Sequence, residues 1–261
     1  MTKIILPFVL LLGAGTVAQA QSGIKFGLKA GVNLSGYTGT DNTDTKSKVG
    51  LNAGLTANFA LSDRISIQPE VLFSQKGTKL GYNQDNSDLP VFLSNSNRLT
   101  GEGTFSQTLG YLDVPVLVHV NIGPVGSTGF FLEAGPQVSF LLAQRGEVSG
   151  DKATVVLASP NRSTSASAVR PTLSAFTVDN TTNDFNKTTF GYAVGLGYRF
   201  SSALSLNVRY TADISRVYKE GEGMADALKP YKGQSYSATF LNPTLRNSTF
   251  QLQLGYVLGG S

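Results

Sequence analysis

The sequence contains no cysteine and a single histidine, His119. Without cysteine there are no disulfides, no thiolate metal sites and no lipidated cysteine to anchor the chain. One histidine leaves little scope for the nucleophile–base pairs of hydrolases, whose two groups must lie within hydrogen-bond reach. Beyond the N-terminal segment there is also no apolar run of about 18 residues, so no transmembrane helix is expected. Charge of one sign is not concentrated. Lys and Arg number 21 against 17 Asp and Glu, for a net charge of +4. The basic residues are scattered, so the pI of 9.2 does not point to nucleic acid. Asp41-Asn42-Thr43-Asp44 offers oxygen ligands but lacks the Gly and distal Glu of a calcium loop. No catalytic, cofactor-binding or metal-ligating residues are therefore expected, and the chain does not read as an enzyme.

What the sequence does have is alternation. From Ile24 to Leu34 every second residue is apolar, and the pattern recurs in seven further segments: 48–60, 64–75, 108–121, 129–143, 187–200, 204–215 and 247–258. Successive side chains of a strand point to opposite faces. The apolar face of these segments carries no charge. The other face holds Lys25, Lys29, Glu70, Asp113, His119, Glu133, Arg199, Arg209 and Asp213 among Gly, Ser, Thr, Asn and Gln. Strands of about 10 residues with one apolar and one polar face are the pattern of a transmembrane β-barrel with lipid outside.

A soluble ligand-carrying barrel would reverse these faces, with an apolar lumen and a charged exterior. Here the apolar set is too large for a narrow interior, and the Gly-rich polar set suits it. The connections support the membrane reading. Those at 36–47, 76–107, 144–186 and 216–246 are long, whereas 61–63, 122–128 and 201–203 are short. Membrane barrels pair short periplasmic turns with longer extracellular loops. The fold class predicted is all-β: an eight-stranded antiparallel up-and-down transmembrane β-barrel with four extracellular loops and three periplasmic turns. Pro69, Pro115 and Pro136 fall inside strands, where a missing N–H removes a ladder bond, so bulges or local irregularity are expected there. Aromatic residues at the strand ends, among them Phe59, Phe130, Phe131, Tyr198 and Phe200, read as interfacial girdles.

Residues 1–20 read as a cleaved signal peptide. Lys3 precedes the apolar run Ile4–Leu12, and Ala18-Gln19-Ala20 offers a small-residue cleavage site. The barrel domain is then 21–261.

Tyr111-Leu112-Asp113-Val114-Pro115-Val116-Leu117-Val118 and Phe131-Leu132-Glu133-Ala134-Gly135-Pro136 resemble a known family. So do Phe190-Gly191-Tyr192-Ala193-Val194-Gly195-Leu196-Gly197-Tyr198 and Leu204-Ser205-Leu206-Asn207-Val208-Arg209-Tyr210. The chain resembles the outer-membrane β-barrel domain proteins of Bacteroidetes, the "porin family", similar in build to OmpA/OmpX-type barrels. This resemblance implies the bacterial outer membrane, contact with its lipid, and biogenesis through periplasmic chaperones and the barrel-assembly machinery.

Counted from the short turns, Lys29, Glu70, Glu133 and Arg209 fall at similar heights on the polar face. Two cations and two anions in a narrow interior should pair, because an isolated buried charge is costly. Likeness to OmpA-type barrels implies that such a network plugs the lumen. The function expected is structural or surface interaction through the long loops of a monomer. A narrow or gated channel for small solutes and a secretion-system accessory are the alternatives. The loops, rich in Ser, Thr, Asn and Gly, identify no ligand.

Overall fold

The computed structural model describes residues 24–39, 45–82, 91–92, 98–100, 103–122, 128–149, 154–157, 168–170, 175–178, 185–217 and 245–259. The segment 1–20 and Asp41–Asp44 lie outside them. Eight long strands build the architecture: β1 (Ile24–Thr38), β2 (Thr45–Ala60), β3 (Ile65–Tyr82), β4 (Gly103–Ile122), β5 (Gly129–Ser149), β6 (Thr188–Arg199), β7 (Leu204–Asp213) and β8 (Arg246–Val257). Each pairs antiparallel with its sequence neighbour, and β8 returns to β1 in unbroken register from Gly27↔Val257 to Thr38↔Arg246. The sheet is a closed eight-stranded barrel with no helix among the described residues. Closure leaves no strand edge, a requirement for backbone placed in lipid.

Burial is inverted relative to a water-soluble domain. Along β1, Leu28, Val32 and Leu34 are exposed while Lys29, Asn33 and Ser35 are buried. The other strands repeat the arrangement, so the outside is a continuous belt of Leu, Val, Ile and Phe and the inside is mostly polar. An apolar surface of that extent would promote association in water. In a bilayer it is the wetted face. Near the turn end Tyr198 meets Phe130 and Phe200 edge-on, at 4.8 and 5.1 Å between ring centroids. Phe131 departs from the girdle reading. Its parity turns it into the lumen, where it is 4% exposed.

Several strands outrun the apolar pattern. β3 continues to Tyr82, β4 starts at Gly103 and β5 reaches Ser149, whereas alternation predicted 64–75, 108–121 and 129–143. Beyond lipid the outer face has no reason to stay apolar, but the backbone ladder still gains by continuing. At this loop end Phe185, Val217 and Leu245 are buried, and the backbone bonds Asn186 N–H to Val217 O and Val217 N–H to Leu245 O tie their segments together. Four short strands, Val91–Phe92, Arg98–Thr100, Thr154–Leu157 and Ala168–Arg170, pair as a small antiparallel sheet of their own.

The prolines interrupt the ladders without shifting them. Pairing between β3 and β4 skips from Pro69↔Val116 to Leu72↔Asp113 in one register, and between β4 and β5 from Pro115↔Gln137 to Val118↔Ala134. The bulges sit elsewhere, between Ser47 and Asn52 on β2 and beside Gly110/Tyr111 where β4 meets β5. Pro69, Pro115 and Pro136 thus fall in three separate lapses, one each in the β2–β3, β3–β4 and β4–β5 ladders, and the lost bonds are confined to them.

Glycine sets the lumen's width. A Cβ on Gly54 would lie 2.0 Å from Val71 O and 2.7 Å from Leu72 Cα, both backbone atoms that cannot swing aside. Gly54→Ala is expected to destabilise the barrel by about 1–3 kcal/mol, the usual cost of overpacking. The midpoint of urea unfolding in lipid vesicles measures it, and an unchanged midpoint would mean the strands can separate freely there.

Candidate functional site: a charged cluster across the lumen

The four ascending strands β1, β3, β5 and β7 each contribute one charged side chain at mid-barrel: Lys29, Glu70, Glu133 and Arg209. Because alternate strands share a direction and tilt, equal distances from the turns become equal heights. The structure brings all four together. Arg209 grips Glu70 with both terminal nitrogens, Nη1 to Oε2 at 2.8 Å and Nη2 to Oε1 at 3.0 Å. Its Nε donates to Glu133 Oε1 at 2.6 Å. Lys29 Nζ donates to Glu70 Oε1 at 2.6 Å and lies 3.9 Å from Glu133 Oε2. All four side chains are at most 5% exposed. Two positive and two negative charges cancel, and the fork of Arg209 satisfies several oxygens at once, the condition under which buried charges are tolerated.

Local backbone makes room for this. Gly195 pairs with both Glu133 and Arg209, and a Cβ there would sit 2.7 Å from Glu133 Oε1. Gln68 Nε2 donates to Glu70 Oε1 at 2.8 Å, and Asn207 Nδ2 to Glu133 Oε1 at 2.9 Å. Next to the charges runs a chain of side-chain amides. Asn207 donates to Gln253, Gln253 to Asn52, and Asn52 to Asn33, at 3.1, 2.7 and 2.5 Å. Gln251 also donates to Asn33, at 3.2 Å. Asn and Gln are so common on polar strand faces that nothing in the sequence singles these out.

Sequence reasoning also missed Lys76, which it left in a loop by ending the third strand at Gln75. The longer β3 buries Lys76 in the lumen, where Nζ meets Asp113 Oδ1 at 2.9 Å and lies 4.9 Å from the centre of the Tyr111 ring. Asp213 accepts from Thr189 and Asn247 at 3.2 and 3.0 Å. This upper group holds two carboxylates and one ammonium.

His119, placed by alternation on the polar face but outside the expected network, adjoins it. Its ring stacks on Phe131, centroids 5.1 Å apart and planes at 12°, and Nε2 lies 3.3 Å from Glu133 Oε2. The signal was available: His119 and Glu133 stand opposite each other across the hairpin of β4 and β5. The Arg199 guanidinium also lies over the Phe131 ring, 5.7 Å from its centroid. Glu70, His119 and Glu133 offer ligand atoms that all lie within 4.8 Å of one another, the one such group among the described residues that could hold a metal ion.

The family model for the outer membrane protein beta-barrel domain matches residues 18–217. No curated protein matches the sequence. Among solved structures the chain is similar to Ail, the attachment invasion locus protein of Yersinia pestis, in complex with the heparin analogue sucrose octasulfate. Identity is 11% over 90% of this chain and 99% of that one, with a TM-score of 0.37. OprG of Pseudomonas aeruginosa matches at 10% identity over 91% and 96% of the two chains, TM-score 0.40. Neisserial surface protein A matches at 10% over 90% and 99%, TM-score 0.38. The apolar exterior, the closed antiparallel sheet and the matched family model together establish that the chain belongs to the outer-membrane β-barrel domain family.

Proposed function

We propose that the protein is a non-catalytic, monomeric barrel of the bacterial outer membrane, of the Bacteroidetes type, with a plugged lumen. Its structural or surface-interaction role is carried by the long loops, which face outward while the three short turns face the periplasm. Residues 1–20 act as the signal peptide, and residues 21–261 reach the membrane through periplasmic chaperones and the assembly machinery. The observation that carries this reading is Arg209 bonded to Glu70 and Glu133 at once, with Lys29 on Glu70. An eight-stranded barrel is only just wide enough for its side chains to fill it, so four interlocked ones at one height leave little cross-section for solute.

A narrow gated channel is the second reading. It is favoured by the mostly polar lining, which runs along β3 through Ser66, Glu70, Ser74, Lys76 and Thr78, all buried. Planar-bilayer recording on the purified protein separates the two. A plugged barrel gives no sustained open level at neutral pH; a steady stepwise conductance would move the assignment to the channel.

A further inference from the structure

We propose that His119, Glu133 and Glu70 form a luminal binding site for a divalent first-row transition ion, with Lys29 as the cation that competes for it. His119 Nε2 and Glu133 Oε2 are both buried, and neither has a hydrogen-bond partner. They face each other at 3.3 Å, long for an N–H···O bond. Two ligands at about 2.0–2.2 Å from a tetrahedral ion stand roughly 3.3–3.5 Å apart, so the pair already has the spacing of one edge of such a site. Imidazole with carboxylate selects zinc, copper or nickel over calcium or magnesium, which prefer oxygen alone.

Both ligands are held in place by their neighbours. Phe131 fixes the imidazole plane by stacking, and it has room to do so because residue 197 is glycine; a Cβ there would lie 2.1 Å from the Phe131 ring. Arg209 and Asn207 hold Glu133 by Oε1 alone, which leaves Oε2 directed at the histidine. Support of this kind from behind the ligands is what orients a metal site.

The obstacle is charge. Lys29, Arg209, Glu70 and Glu133 already sum to zero, so a dication can enter only as another cation withdraws. Arg209 makes three hydrogen bonds to the carboxylates, whereas Lys29 makes one, to Glu70 Oε1. Lys29 is therefore the group that yields, and its departure removes the shortest of the three donors on Glu70 Oε1, the oxygen needed as third ligand. The site does not depend on whether the barrel conducts.

The test uses the full-length protein in detergent, titrated with Zn²⁺ by calorimetry. One ion should bind per chain. His119→Ala should lower the affinity at least tenfold, and Lys29→Met should raise it about as much by removing the competitor. No binding, or equal affinity in wild type and His119→Ala, would overturn the site; a Lys29→Met variant that binds no tighter would overturn the competition. If Lys29→Met does not fold, the Cu²⁺ electron paramagnetic resonance spectrum of the unmodified chain decides. Splitting from one imidazole nitrogen is expected, since the chain has a single histidine. A spectrum with oxygen ligands only would refute the site.

Discussion

Replacing Arg209 by Ala should lower the stability of the barrel by about 3–5 kcal/mol, the cost of removing one partner from a buried ion cluster. Arg209 is fully buried and, among the described residues, is the only group bonded to both carboxylates by short contacts. Without it Glu70 keeps Lys29 and Gln68, while Glu133 keeps, among the described residues, the Asn207 hydrogen bond, His119 at 3.3 Å and Lys29 at 3.9 Å. Water entering the gap would lower the cost toward the bottom of that range and would open the lumen, so conductance should rise with the same substitution. Arg209→Lys should fall between, because an ammonium cannot reproduce the planar fork. Arg199 is the comparator. It is half-buried, faces the Phe131 ring, and has no carboxylate contact among the described residues. Arg199→Ala should cost no more than about 1 kcal/mol, the scale of a partly exposed cation–π contact. Urea unfolding in lipid vesicles reads both, and equal losses would sink the idea that the cluster centres on Arg209.

The second large effect tests which face meets lipid. Val208 lies between luminal Asn207 and Arg209, is 53% exposed, and stands near mid-barrel. Val208→Lys should destabilise by about 2–4 kcal/mol, whereas the same change near a membrane interface costs about 0–1. Leu204 supplies that control, on the same face at the turn end of the same strand. The gradient from Leu204 to Val208 is the informative quantity. A water-exposed outer surface would accept both lysines with little loss, and that result would exclude the bilayer as its surroundings.

The division into inside and outside was legible because strand geometry imposes a period of two and lipid demands uniformity on one side. Lys29, Glu70, Glu133 and Arg209 could be placed at one height for a related reason: the short turns act as rulers. What could not be read was which atom meets which. The fork of Arg209 on Glu70 depends on tilt and strand offset, which alternation does not encode. Strand ends at the loop side were illegible because the apolar pattern stops with the lipid while hydrogen bonding does not, and Lys76 was lost with them. Phe131 misled through composition, since an aromatic beside Phe130 looks interfacial until its parity is counted. The prolines show the opposite case. Residue identity announced an irregularity, but only the registers of β3, β4 and β5 reveal that the ladder lapses without slipping.

That the four charges come from alternate strands also bears on how the barrel assembles. No two of them sit on one hairpin; Lys29 and Glu70 are separated by 41 residues, Arg209 and Glu70 by 139. A sheet that has gathered only β1 to β6 holds two carboxylates against one ammonium, and these repel. The guanidinium that relieves the imbalance arrives with β7, one strand before the β8–β1 seam can form. Contacts of such long sequence separation carry the full entropy of loop closure, so they form late and slowly. The cluster in effect rewards closure at this strand number and penalises every incomplete ring.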